Sequence, residues 1–368
     1  EKLKHYAQEF CKVPDGFNLH PKILKVQEER LASLTNGKID WGMGEHLAYA
    51  SLLTENVHVR ISGQDSRRGT FSHRHAVWVD QKTESRYYPL SHLATNQAPF
   101  DIYNSPLSEY SVLAFEFGYS LFYKQALVIW EAQYGDFANG AQIVIDQFIA
   151  SSEQKWGHKS GLTLYLPHGY EDQGPEHSSA RLERYLQLSG DNNWTIANCT
   201  TPAQLFHLLR RQGLQKNKKP LILLTPKALL RQATSSLQEF AQGEFQPVIA
   251  DVTVKTARRV LFCSGRVYYD LLAARKTPDI AIVRVEQLYP LPTEKIQDVI
   301  KQYPGAEWCW VQEEPRNMGA WSYIFPQLNM LTPKAVKYIG REASASPAAG
   351  SHVLHKAQLT AFLQEAFK

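Results

Sequence analysis

Four short segments carry residue types able to do acid–base or binding chemistry. In GQDSRRGTFSHRHAV (63–77), His73 and His75 stand two apart. If that stretch is extended they point the same way, with Arg74 opposite. Such a pair suits a metal, a phosphate or an anionic substrate; the alternative is two surface histidines of a polar loop. In YNSPLSEYSVLAFEFGYS (103–120), Ser108 is placed to cap a helix. That cap sets Glu109 in the first turn, on one face with Val112, Leu113 and Phe117. Glu116 falls on this side too, and Gly118 is expected to end the helix soon after, leaving Glu116 at a freer carboxyl end. An acid against an apolar stripe must find a partner or keep its proton, because an unpaired buried carboxylate is costly. A solvated first-turn acid, with Glu116 on the same wet edge, is the competing reading. The helix dipole favours its charge and burial opposes it.

The third segment, WEAQYGDFANGAQ (130–142), sets Tyr134 and Phe137 three apart in a turn where Gly135 and Gly140 allow close backbone approach. Aromatic rings there can form a stacking platform for a flat heterocycle, or simply pack. In LPHGYEDQGPEHSSARLERY (166–185), His168 and His177 bracket a Gly- and Pro-containing loop, with Ser178-Ser179 expected to open the next helix. Histidines near a helix start suit anion recognition or proton transfer, and two exposed loop histidines are the plainer reading. A zinc site from His73, His75, His168 and His177 is disfavoured, since no pair has i, i+4 spacing and no Cys joins them.

Three of these segments follow directly after apolar runs, where open parallel sheets bind ligands. Strand candidates are 56–62, 126–132, 161–167, 220–226, 259–265, 280–288, 308–313 and 335–340. Several are apolar throughout, as expected of strands covered on both faces. Helices alternate with them: Thr201, Pro202 and Gln204 read as N-cap, N1 proline and capping-box partner, and Thr293 as a cap after Pro292. The alternation argues for α/β architecture, two doubly wound, mostly parallel-sheet domains. The polar, weakly helical stretch 232–256 marks a boundary. The expected division is a helical arm (1–35, with a helix over 21–31), a larger domain (36–246) and a smaller one (247–368).

The 368 residues are 43% hydrophobic and 21% charged, with 40 Lys+Arg against 36 Asp+Glu. That composition excludes collagen, coiled coil, disorder and disulfide-knot classes. A dispersed net charge of +4 argues against a nucleic-acid or membrane-surface partner, and no apolar run reaches the roughly 18 residues of a membrane span. Four widely spaced cysteines (Cys11, Cys199, Cys263, Cys309) read as buried reduced thiols, which fits a reducing cytoplasm. The chain begins without Met, so a piece of a longer protein is expected.

The four segments, with TPAQLFHLLRRQ and YIGREASASPAAG, closely resemble the thiamine-diphosphate-dependent decarboxylating component of the 2-oxoglutarate dehydrogenase family, in order from about residue 14 to the end. The resemblance covers that family's carboxy-terminal part and implies a transketolase-like pyrimidine-binding domain followed by a transketolase carboxy-terminal domain. The activity implied is decarboxylation of 2-oxoglutarate and succinyl transfer to a lipoyl group, in the tricarboxylic acid cycle. By resemblance, Glu109 bonds the aminopyrimidine ring nitrogen and promotes its imino tautomer. Phe137, preferred, or Tyr134 packs on the pyrimidine, His177 and His168 flank the reacting carbon, and His73 and His75 lie near the substrate carboxylates. The family's diphosphate and Mg²⁺ are held in a preceding domain with a GDG motif. This sequence has no GDG, and Gly190-Asp191-Asn192 lacks the continuation, so only the pyrimidine half of the site, no metal ligand, and no activity in isolation are expected. Implied partners are a second copy in a homodimer and the dihydrolipoyl succinyltransferase component of a multienzyme complex. Residues 340–350 look like family structure, and 225–231 fall in a region that binds a nucleotide-like effector in some relatives. The alternatives are 2-oxoadipate as substrate, or a non-catalytic assembly or effector-binding module.

Overall fold

The computed structural model describes residues 1–171, 174–232 and 234–368. Asp172 and Gln173 of the 166–185 segment, and Ala233 of the boundary segment, lie outside them. The strands in chain order are β1 (Val59–Gly63), β2 (Trp78–Val79), β3 (Arg86–Tyr87), β4 (Phe100–Asn104), β5 (Leu127–Glu131), β6 (Thr163–Pro167), β7 (Thr195–Asn198), β8 (Leu221–Thr225), β9 (Val248–Ile249), β10 (Arg259–Cys263), β11 (Ile280–Val285), β12 (Gln287–Tyr289), β13 (Glu307–Pro315) and β14 (Lys337–Arg341). One sheet runs β12-β7-β8-β6-β5-β1-β4 and is parallel except where β12 meets β7. A second runs β14-β13-β10-β11-β9, parallel except where β9 meets β11. Two doubly wound, mostly parallel sheets are therefore present, as the β–α alternation predicts.

The apolar runs work because each strand feeds two cores. Along β5, Leu127 and Ile129 face one cluster, while Val128 and Trp130 face the other, the two-residue period of a pleated strand. The first cluster packs under α3 (Trp41–Thr54) and the helix Pro202–Leu214. The helix α3 starts where Asp40 accepts a bond from the Met43 N–H at 2.8 Å, and it is buried all the way from Trp41 to Leu53. The helices α1 (Lys2–Cys11) and α2 (Pro21–Asn36) come first in the chain, and Ala7, Phe10 and Cys11 of α1 join the first cluster. On the opposite face, α4 (Glu109–Phe122) and residues 135–149 complete the second cluster. All four cysteines are buried and free, as expected of reduced thiols. Among the described residues no helix is long and apolar enough to cross a membrane.

Several local expectations are corrected. The helix α4 runs through Gly118 to Phe122 rather than ending near the glycine. The apolar run 280–288 breaks at Glu286, whose buried carboxylate accepts from the Thr200 N–H at 2.8 Å and sends β12 across to the first sheet. Thr201 does cap its helix, but the Gln204 amide donates to the Gln246 carbonyl at 2.7 Å instead of closing a capping box. Pro292, not Thr293, occupies the cap before Thr293–Gln302. Ser178 and Ser179 precede the helix Leu182–Gln187 without opening it. The half-polar edge strand β4 and the short β7 were not among the strand candidates, because neither shows a continuous apolar run.

Candidate active site

Neighbouring strands β6, β5, β1 and β4 bring all four segments to one edge of the first sheet. Gly63 is in register with both Asn104 and Glu131, so the loops after β1 and β5 and the turn into α4 start side by side. Parallel strands put their ligand-binding connections at this carboxyl edge.

Ser108 accepts from the Ser111 N–H at 3.3 Å and fixes Glu109 as the first residue of α4. Glu109 is only 8% exposed, which rules out a solvated first-turn acid. Its Oε1 accepts from the Gln64 side-chain amide at 3.0 Å. Its Oε2 is buried and makes no hydrogen bond. Burial pushes the carboxyl up to about 7, the Gln133 backbone N–H and the Gln64 amide pull it back, and the Glu131 carboxylate adds to the rise. Gln64→Leu removes one of the two donors that favour the charged form, so Glu109 then titrates higher. An infrared pH titration of the carboxylic C=O band, referenced to Glu109→Gln, will show the midpoint move upward; an unmoved midpoint would refute the pairing. Glu116 is corrected: far from marking a wet edge, it is 1% exposed and accepts from Arg60 Nε and Nη2, each at 2.8 Å. Arg60 in turn lies 4.8 Å from the Tyr103 ring centre and 4.4 Å from that of Tyr119.

Next to Gln133, the half-buried Tyr134 collects the other rings. It lies 5.6 Å from Phe71, 5.5 Å from Phe137 and 4.3 Å from His177, with Phe137 also 6.2 Å from His177. These edge-on contacts leave two partly exposed aromatic faces beside a half-buried imidazole. Gly135 is required here: a Cβ would sit 2.5 Å from the Ala180 Cβ and 2.6 Å from the Pro167 carbonyl oxygen. Gly135→Ala is expected to cost about 1–3 kcal/mol by overpacking, read as a lower thermal midpoint; an unchanged midpoint would show that the turn is slack.

The 63–77 segment is not extended. Ser72 and His75 have φ of 54° and 48°, so the two histidines do not share a face. His73 is largely buried, its ring 6.4 Å from Phe71 and its Nδ1 without a hydrogen bond. Burial, then the Arg74 guanidinium, hold its pKa well below the ordinary value. His75 stands apart from the aromatic cluster, half-buried, with its pKa lowered to about 4 by burial and then by Arg30. Arg74, expected only to lie opposite the two histidines, is the centre of the site's foundation. Wholly buried, it bonds Glu45 at 2.8 and 3.0 Å and Glu131 at 2.6 and 2.7 Å. Arg30 donates to the Arg74 carbonyl at 2.7 Å, and the Ser66 hydroxyl donates to Glu131 at 2.9 Å.

His168 and His177 differ in the same way. The Ala180 N–H donates to His168 Nδ1 at 3.1 Å, so the ring proton sits on Nε2, 2.8 Å from the Glu314 carboxylate. Burial works against a charge on His168, and Glu314 outweighs it and raises the pKa. Both nitrogens are thus engaged by protein, which makes His168 a strut rather than a ring offered to the cleft. His177 lies in the turn Pro175–His177, half-buried against Tyr134. Among the described residues no group of three or more His, Cys, Asp or Glu is placed to hold a metal ion.

A family model described as transketolase, pyrimidine binding domain, matches residues 37–232, more than half of the chain. The chain belongs to this family. A second model, 2-oxoglutarate dehydrogenase C-terminal, matches residues 234–367, so the family's pyrimidine domain is followed here by that carboxy-terminal unit. The whole chain is similar to the 2-oxoglutarate dehydrogenase E1 component of Cupriavidus necator (51% identical over 383 residues) and of Haemophilus influenzae (50% over 378). It is 45% identical over 405 residues to the mitochondrial 2-oxoglutarate dehydrogenase of Caenorhabditis elegans. The chain spans 40% of the length of the two bacterial relatives and 39% of the nematode one.

The edge that collects the four segments is the carboxyl edge beyond the apolar strands, where their spacing in the sequence put them. The residues missed were those that hold it: Gln64, Glu45, Glu131 and Glu314. Two had a signal, since Glu45, with His46, interrupts the largely apolar WGMGEHLAYA and Glu131 ends the apolar strand LVIWE.

Proposed function

We propose that this chain forms the pyrimidine half of a thiamine diphosphate site and the carboxy-terminal part of a 2-oxoglutarate dehydrogenase E1 component. The observation that carries this is Glu109: a buried carboxyl poised near neutrality, one oxygen held by Gln64 and the other free of hydrogen bonds, against the Gln133 backbone that leads into Tyr134. An orphaned buried oxygen matches the ring nitrogen of an aminopyrimidine, and the Tyr134–Phe137 pair matches its flat face. When bound, thiamine diphosphate supplies the thiazolium that acts as electron sink for 2-oxoacid decarboxylation.

The residues of this chain orient and move protons. Glu109 shares a proton with the ring nitrogen at Oε2, which its pKa near 7 permits in either direction. Phe137 packs on the ring, having no hydroxyl to satisfy, and Tyr134 braces it. His177 moves a proton at the reacting carbon, with His168 behind it. Of the two histidines expected near the substrate carboxylates, His73 keeps that role, its Nδ1 being buried without a hydrogen-bond partner, while His75 turns to another face.

In this reading the diphosphate and Mg²⁺ are held by a diphosphate domain outside these residues, and the isolated chain does not turn over. A homodimer covers the outer side of α4, where Leu107, Phe115 and Phe122 are 82%, 61% and 85% exposed. The succinyltransferase component takes the product on its lipoyl arm, in the cytoplasm. The units divide as arm 1–35, pyrimidine domain 36–246 and carboxy-terminal domain 247–368. The test is turnover of 2-oxoglutarate and 2-oxoadipate by the full-length protein with thiamine diphosphate and Mg²⁺. A higher kcat/KM for 2-oxoglutarate is expected; preference for 2-oxoadipate would reassign the substrate, and no turnover of either would overturn the reading.

A further inference from the structure

The loop that carries His177 is held from the other unit of the chain. It leaves β6 at His168, whose ring joins the two ends of the loop by accepting the Ala180 N–H at 3.1 Å. The same ring donates outward to Glu314 on β13 at 2.8 Å. Ala180 is where the loop touches the aromatic turn, since a Cβ on Gly135 would meet the Ala180 Cβ at 2.5 Å. Two more loop side chains anchor in the same place: Tyr170 lies under Arg341, 4.3 Å from ring centre to guanidinium, and Glu171 lies 3.7 Å from Arg266. Arg266 also pairs with Glu313 at 3.1 Å. The buried Lys227 donates to the carbonyls of Gly169 (2.9 Å) and His177.

We propose that Glu314, in the carboxy-terminal unit, is a positioning residue for the reaction: through His168 it sets where the loop presents His177. This rests on the role given to His177 above. The argument is one of hydrogen-bond supply. His168 is buried, and its Nε2–H has Glu314 as its acceptor. Without that acceptor the ring must turn to find another, and turning it surrenders the Ala180 N–H as well. The loop end then loses its register against Gly135 and Tyr134, the ring that His177 touches. What the link requires is an acceptor oxygen, not a charge, because the Ala180 amide already assigns the ring proton to Nε2.

The experiment uses the full-length protein, with hydrogen–deuterium exchange of the peptide covering 174–182 and steady-state kinetics on 2-oxoglutarate. Glu314→Leu should speed exchange of that peptide at least about tenfold, as expected when a local bond network opens. It should lower kcat by about 10²-fold while thiamine diphosphate affinity moves less than about threefold. Glu314→Gln, which keeps an acceptor, should restore both readouts to within a few fold. His168→Gln tests the link from the loop side should Glu314→Leu fail to accumulate; it keeps a donor for Glu314 but gives no ring nitrogen to Ala180, and should match Glu314→Leu. The double variant Glu314→Leu/His168→Gln should be no worse than either single change, because both break one link. Unchanged exchange in Glu314→Leu or His168→Gln, additive losses in the double variant, or a Gln variant as damaged as Leu would each overturn the proposal. His177→Ala, run alongside, separates the two failures: normal turnover there removes the role of His177, while the exchange data still decide whether Glu314 holds the loop.

Discussion

Glu109→Gln in the full-length protein is expected to lower 2-oxoglutarate decarboxylation by about 10²–10⁴-fold, measured as CO₂ release with thiamine diphosphate and Mg²⁺ supplied. The amide has the same shape, but it cannot take or return a proton. The wild-type carboxyl can, because burial lifts it to about 7 while the Gln64 and Gln133 donors keep it from rising further. The same variant has a stability signature independent of turnover. A carboxyl whose folded pKa lies above its unfolded value binds more protons when folded. Its contribution to stability is therefore present at low pH and lost as pH rises from the ordinary carboxylate range through about 7. Glu109→Gln removes that loss, so the difference in thermal midpoint, variant minus wild type, should grow more positive from pH 5 to pH 8. A variant within tenfold of wild-type turnover would dismiss Glu109 as the acid–base group, and a pH-independent midpoint difference would dismiss its raised pKa.

The positions of the site segments were legible because they follow a local rule. Polar and aromatic residues gathered just beyond apolar strands, and the sheet order β6-β5-β1-β4 sets those strands side by side. Ser108 and Glu109 were legible for the same reason, since a cap and its first turn lie within one turn of sequence. What sequence could not supply was partnership across distance. Arg74 finds Glu131 at a separation of 57 residues, Arg60 finds Glu116 at 56, and His168 finds Glu314 at 146. No local pattern marks such pairs, and each changes the meaning of its residues. Glu116 turns from wet-edge acid to buried ion pair, and His168 from a ring facing the cleft to a strut. The left-handed residues Ser72 and His75 show the converse limit. They are neither glycine nor asparagine, and the modest preference of histidine for this region is too weak a signal to announce the turn that sends Arg74 inward. Burial of Arg74 between two acids accounts for that turn, because the ion pairs hold the backbone where its own preference would not.

The foundation beneath the cleft can be tested by removing its central cation. Arg74→Met should destabilise the protein by about 3–5 kcal/mol, the range for breaking a buried ion pair by deleting one partner. Methionine fills most of the volume, so the loss is electrostatic. Glu45 and Glu131, at 3% and 5% exposure, would remain in a site that water hardly reaches, with Arg30 as the nearby buried cation. Burial already raises the Glu45 carboxyl, and Arg74 is the largest influence holding it down. With Arg74 gone, Glu45 keeps its proton when folded and releases it when unfolded. Stability of the variant should then fall as pH rises above the ordinary carboxylate range, on top of any change in the wild type. Denaturant unfolding at pH 5 and pH 8 measures both effects. Arg74→Met/Glu45→Gln/Glu131→Gln, which removes the stranded charges, should recover part of the loss and flatten the added pH dependence. A single variant within about 1 kcal/mol of wild type would mean that the acids find water or other donors on their own. The loop carrying Gln64 and His73 would then owe its shape to packing rather than to this cluster.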